Sequence, residues 1–180
     1  MSLPVIQTAR LTLRPPVVVD LDAYAAFYSH ASDLVGKYRG PRSRDEARLV
    51  LEADLDHWHR KGFGMWLLER RENRAIVGGC GIAHPDDWPS HELTWWLMPE
   101  QRGKGYASEA SRAAIAFGYD TLGWPSVETH MRDENLPARR LAERLGGEVV
   151  RRDVFPDGVA RDVFRLPRVA DAGQAMEGTA

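Results

Sequence analysis

"MPEQRGKGYASEA", Met98 to Ala110, sets a proline, two glycines and three charges in its first eight residues and then turns into a helix-forming run. Before it, "HELTWWLM" (His91 to Met98) alternates and predicts a strand. After it, Tyr106, Ala110, Ala113 and Phe117 fall on one face of a helix expected from Gly105 to about Thr121. A helix start carries unpaired N–H groups and partial positive charge, and glycine lets an oxyanion approach the backbone closely. A glycine-rich, basic strand-to-helix loop therefore points to a phosphate or pyrophosphate.

The rest of the chain predicts a mixed α/β layer. Arg10 to Arg14 reads as a strand halted by prolines, and Asp20 as the cap of a helix over "LDAYAAFYSHA". Ser43 with Glu46 forms a capping box opening a helix to about Lys61. "GMWLLER" and "AIVGGCGIA" are strands joined by the turn Arg71 to Arg74, and "HPDDWPS" is a loop before the fourth strand. "SVETHMR" is a fifth strand, and a right-handed crossover from His91 to Arg132 would make strands four and five parallel. Asn135 caps a helix ending at Gly146-Gly147, and a hairpin around Pro156-Asp157-Gly158 follows.

With 180 residues, 43% hydrophobic, the chain suits one domain, expected over 1–167, with 168–180 as a polar tail. A net charge of −2 gives no strong field for nucleic acid or an anionic membrane. The single cysteine, Cys80, precludes an internal disulfide and a cysteine-based zinc cluster. His57 and His59, two apart on a helix, point to different sides, so no metal is expected. Lacking a signal-like start or a membrane-length apolar run, the sequence reads as cytoplasmic.

The loop has no Walker A lysine pattern, and Gly103-Lys104-Gly105 lacks the third glycine and the early position of a dinucleotide fingerprint. It does contain R-x-x-G-x-A, as Arg102, Gly105 and Ala107, and this resembles the acetyl-CoA pyrophosphate loop of the GNAT N-acetyltransferase superfamily. "QTARLTLRPPVVVDLDAY", "GFGMWLLERRENRAIVGGCGI", "NLPARRLAERLGG" and "GVARDVFRL" resemble, in order, segments of its ribosomal-protein-N-acetyltransferase-like branch. The resemblance implies an α/β (α+β) fold: a mixed, mostly antiparallel sheet splayed between strands four and five, with helices on both faces. It implies acetyl transfer from acetyl-CoA to a primary amine in a ternary complex, the acceptor being a peptide N-terminus or a small molecule.

On the same basis, Arg102, Gly103, Lys104, Gly105, Tyr106 and Ala107 would hold the pyrophosphate. Backbone N–H groups near Leu97 and Met98 would hold the pantetheine arm and the acetyl oxygen. Asn135 would contact the coenzyme arm, a role compatible with a plain helix cap. Glu92 matches an acidic position of the branch and is the candidate base, against the reading of a strand-end carboxylate paired with an arginine. His84, His91 and His130 are weaker candidates. Trp95 and Trp96 face opposite sides of the strand, one for the core and one for the acceptor side.

The chain departs from the pattern at Ala138 (often serine), Ala142 (tyrosine in other members) and Gly147 (usually aromatic). These gaps keep open a catalytically impaired CoA-binding module, alongside an acetyltransferase for an amino sugar or antibiotic. A homodimer follows only from family analogy.

Overall fold

The computed structural model describes residues 3–30 and 41–168. Its strands are β1 (Ile6–Gln7), β2 (Leu11–Arg14), β3 (Met65–Arg70), β4 (Ile76–Ala83), β5 (Glu92–Leu97), β6 (Val127–Met131), β7 (Glu148–Val154) and β8 (Ala160–Leu166). Its longer helices are α1 (Leu21–Ser29), α2 (Arg44–Lys61), α3 (Tyr106–Ala116) and α4 (Leu136–Arg144). Five strands form one sheet in the order β1-β2-β3-β4-β5, and three form another in the order β6-β8-β7. The strands numbered fourth and fifth from the sequence are β5 and β6, because the two-residue β1 is too short to leave a pattern. Among the described residues no backbone ladder joins β5 to β6; instead the Thr129 hydroxyl donates to the Leu93 carbonyl at 2.8 Å.

The chain folds as two compact units, neither a single stretch of chain. One comprises the residues up to Cys80 with Trp95–Tyr106, the other Gly81–Thr94 with the residues from Ala107 onward.

In the first unit, α1 and α2 bury Tyr24, Phe27, Tyr28, Ala47 and Leu51 around Leu67 and Met98. Of the two adjacent β5 tryptophans, Trp96 packs against this core: it stacks on Phe27 at 4.4 Å and meets Tyr24 edge-on at 5.8 Å. Gly79 is required there, since any Cβ would collide with the Trp96 indole. The Ser43–Glu46 capping box forms as expected. Asp20 precedes α1 but does not cap it: its carboxylate accepts from Val17 N–H at 2.7 Å and pairs bidentately with Arg14, whose Nε donates to Glu69. The bidentate, charge-assisted pair with Arg14 outcompetes the cap position for that buried carboxylate.

In the second unit, α3 gives way at Ala116 to a single wide turn, Phe117–Thr121, closed by Leu122 N–H to the Phe117 carbonyl. Of the face expected from the sequence, Tyr106, Ala110 and Phe117 are buried and Ala113 is half-buried, while Ser111, Ala114 and Ile115 widen the buried stripe. A glycine is needed at 118, where a Cβ would approach Val127 Cγ2 to 2.7 Å. The α4 helix covers Met131 and Phe164 with Ala142, on the sheet face opposite Glu128 and His130. The 168–180 tail lies beyond the described residues except for Arg168, which pairs with Asp120 at 2.7 Å.

Candidate active site

The loop singled out from the sequence leaves β5 through a short 3₁₀ turn, Pro99–Gln101. That turn engages the N–H of Arg102 with the Pro99 carbonyl at 3.3 Å. Gly103 and Gly105 both adopt the left-handed region, at φ 71° and 81°. L side chains resist this conformation by about 1–2 kcal/mol, so both glycines follow from backbone shape. Among the described residues, the N–H groups of Gly103, Lys104 and Gly105 donate to no backbone carbonyl. The space a Cβ would fill at Gly103 is open. Three consecutive backbone donors without a carbonyl partner thus stand just ahead of an eleven-residue helix, the kind of segment that can cradle an anion.

A residue that sequence spacing does not reveal organises this cradle. Arg10 Nη1 donates to the Lys104 carbonyl at 2.8 Å, across 94 positions of sequence. Its guanidinium lies 4.6 Å from the centre of the Tyr106 ring. Turning the Lys104 carbonyl toward Arg10 leaves the flanking N–H groups facing elsewhere. Lys104 itself donates to Gln101 Oε1 at 3.2 Å.

Of the two positions expected to hold the coenzyme arm, the Met98 N–H is already engaged, donating to the Val77 carbonyl at 3.0 Å. Alternation along the strand then turns the Leu97 N–H to the opposite side, where β5 is the edge of its sheet. Leu97 is thus the open donor of the pair.

Glu92 and Asn135 lie in the second unit. Asn135 caps α4 by accepting from Ala138 N–H at 3.3 Å. Its amide NH₂ makes no hydrogen bond among the described residues.

Among the described residues Glu92 has no arginine partner. Its Oε2 lies 3.3 Å from Trp88 Nε1 and 3.2 Å from His130 Nε2. The His130 ring packs on Phe155 at 3.9 Å, and Trp88 borders both rings. The Arg161 guanidinium lies 4.6 Å from the Phe155 ring centre and pairs with Asp157. The alternation of β6 places Glu128 on the face of His130, where Arg151 binds it bidentately at 2.7 Å and holds its carboxyl below the usual range. His91 points elsewhere, against Trp124 at 4.2 Å, and burial lowers its pKa.

Ala142 is fully buried, and Gly147 donates to its carbonyl at 2.9 Å. A Cβ at Gly147 would approach that oxygen to 2.8 Å, which accounts for the missing aromatic. Among the described residues no group of three or more His, Cys, Asp or Glu is arranged to hold a metal, and no helix is long and apolar enough to cross a membrane.

Comparison with known proteins shows the family. A family model described as an acetyltransferase (GNAT) domain matches residues 10–148, which contain the cradle, Glu92 and Asn135. The chain belongs to the GNAT acetyltransferase family. A crystal structure of an acetyltransferase from Agrobacterium tumefaciens is 33% identical, with a TM-score of 0.81 over 93% of this chain and 96% of that one. The uncharacterized N-acetyltransferase YoaA of Bacillus subtilis is 26% identical across 88% of this chain and 93% of its own length. RimL, a ribosomal L7/L12 α-N-protein acetyltransferase solved with coenzyme A, shares the fold at a TM-score of 0.72 and 15% identity, over 90% of this chain and 97% of that one. As a GNAT member the chain is an acetyltransferase, and acyl-CoA-dependent N-acetylation is the general chemistry of its family.

Proposed function

We propose that this GNAT protein moves the acetyl group of acetyl-CoA to a primary amine, an α-amine of a peptide or an amine of a small molecule, by direct attack. The cradle from Gly103 to Tyr106, with its free N–H groups and the Arg10 brace, carries the proposal. The activity is assigned to residues 1–167 as one domain. Gly103, Lys104, Gly105, Tyr106 and Ala107 would hold the diphosphate through backbone N–H groups, with Arg102 and Lys104 adding charge. The Leu97 N–H would take the coenzyme arm, and the Asn135 amide is a further donor for it. Bound acetyl-CoA supplies an activated acyl carbon; the protein has to position an amine and accept its proton. The Glu92 cluster is the proposed place where that proton leaves.

The acceptor class follows from proton affinity. An α-amine of pKa about 8 costs under ~1 kcal/mol to neutralise near pH 7.4, whereas a lysine near 10.4 costs roughly 4 kcal/mol. With one carboxylate–imidazole pair and no tyrosine at position 142, a weak base suits the more acidic ammonium, that of the α-amine. The test is thiol release from acetyl-CoA with α-amine peptides, peptide lysines, polyamines and amino sugars, beside calorimetry with coenzyme A. An α-amine or amino sugar should exceed a peptide lysine in kcat/KM by tenfold or more. Equal values would remove the acceptor class, and no heat with millimolar coenzyme would remove the function.

A further inference from the structure

Two neutral arrangements of protons fit the contacts around Glu92 and His130, and each leaves one pair of like groups facing. Trp88 Nε1 only donates, and it lies 3.3 Å from Glu92 Oε2 and 3.1 Å from His130 Nε2. Were Nε2 the acceptor of that N–H, its lone pair would also face the Glu92 carboxylate at 3.2 Å, two electron-rich atoms in contact. With the proton on Nε2, both Trp88 and His130 donate to the charged Glu92 Oε2, two charge-assisted bonds set against one donor–donor contact of 3.1 Å. Nδ1 is then the nitrogen with the free lone pair. Among the described residues Nδ1 makes no hydrogen bond.

The remaining contacts hold the ring. The His130 side chain is 4% exposed, clamped by Phe155 on one side and bordered by Trp88. A carboxylate that fixes the N–H of an imidazole and leaves its other nitrogen basic is the arrangement of an orienting acid with a general base. We infer that His130, through Nδ1, takes the proton of the attacking amine, and that Glu92 positions it. This rests on the reading of the chain as an amine acetyltransferase. The amine nitrogen forms the C–N bond to the acetyl carbon, and the C–S bond breaks with its electron pair going to the coenzyme thiolate. The amine's proton passes to His130 Nδ1, directly or through one water, and from there to solvent.

The charged neighbours of His130 are accounted for. Glu92 comes from β5, and Glu128, on the same β6 face, is neutralised by Arg151 of β7. Across the rings, the β7–β8 hairpin brings Arg161, and Asp157 binds both Arg161 and Arg132. Glu92 is therefore the acid partner in direct contact with the imidazole, and changes at Glu92 and His130 should be coupled.

The experiment compares wild type, His130→Gln, His130→Ala and Glu92→Gln in thiol release with acetyl-CoA and the best α-amine peptide of the panel, over pH 5.5 to 9. Coenzyme A calorimetry and circular dichroism serve as fold controls. His130→Gln should lower kcat by about 10²-fold or more, erase the acidic limb of the kcat/KM profile and leave the KM for acetyl-CoA within about threefold. Added imidazole should restore part of the rate in His130→Ala. Glu92→Gln should lose less than His130→Gln. Independently of turnover, ¹⁵N spectra should show His130 as the Nε2-protonated tautomer. A His130→Gln enzyme that keeps its rate and acidic limb, or an Nδ1-protonated ring, overturns the inference. So does a Glu92→Gln loss exceeding that of His130→Gln, which would make Glu92 itself the base. If wild type binds no coenzyme and turns over no amine, the acetyltransferase reading fails first, while the tautomer still reports on the geometry.

Discussion

The Arg10 guanidinium holds the carbonyl of Lys104 at 2.8 Å, so a residue just ahead of β2 sets the direction of a peptide group in the loop before α3. A loop whose N–H groups must converge on an anion needs its carbonyls turned away, and a fixed donor behind the loop does that. Arg10→Ala should raise the KM for acetyl-CoA about tenfold, near the low end for a charged hydrogen bond at an exposed site, with kcat and the amine KM nearly unchanged. Arg10→Lys should recover part of the loss. Steady-state kinetics with the coenzyme varied at saturating amine measures it, and an unchanged KM would show that the loop holds its shape unaided.

Gly105 sits at φ 81°, and a Cβ there would lie 3.3 Å from Arg10 Nη2. Gly105→Ala combines backbone strain with displacement of the brace. It should destabilise the protein by about 1–2 kcal/mol and weaken coenzyme binding more than Gly103→Ala. Gly103 shares the strain but has open space above it. Calorimetric Kd values for the two variants separate shape from space; equal losses would leave strain as the whole effect.

These two positions show what was legible in the sequence and what was not. The glycine-turned loop and its helix could be read because the residues that shape them are adjacent in the chain. The Ser43–Glu46 box was legible for the same reason. Asp20 also looks like a cap, but Arg14 and Glu69 draw its carboxylate back. Glu92 stood out only through family resemblance, and its partner stands on another strand with the indole beside them in a loop. Arg10 belongs to a pattern that reads equally well as an edge-strand charge. Local chemistry showed in the sequence; pairing between distant segments did not.

Acid should unfold the protein in two stages. Burial depresses the pKa of His91, so the unfolded chain takes up that proton first, and stability falls as pH drops from about 6.5, the free histidine value. Glu128 is depressed by hydrogen bonding to Arg151, so its contribution is complete above the free glutamate value and is lost as pH falls below about 4.3. Thermal melts from pH 7 to 3 should show both slopes. His91→Phe should flatten the first and Glu128→Gln the second, the latter lowering stability at pH 7 by roughly 1–3 kcal/mol. A first slope that survives in His91→Phe would assign it to another histidine.

Restoring the tyrosine found in other family members should fail here. Ala142 is fully buried against Met131 and Phe164, and the Gly147 N–H binds its carbonyl. A tyrosine at that position adds a ring to a filled site, an overpacking of about 1–3 kcal/mol or more, and its hydroxyl begins inside apolar surroundings. Ala142→Tyr should therefore lower Tm without raising kcat, whereas Ala138→Ser, at a partly exposed position of α4, should leave Tm within a few degrees. A faster Ala142→Tyr enzyme would mean that protonation of the leaving thiolate limits the wild-type rate. Unchanged or lower turnover fits a thiol that, with a pKa near 8.5, leaves without a dedicated acid.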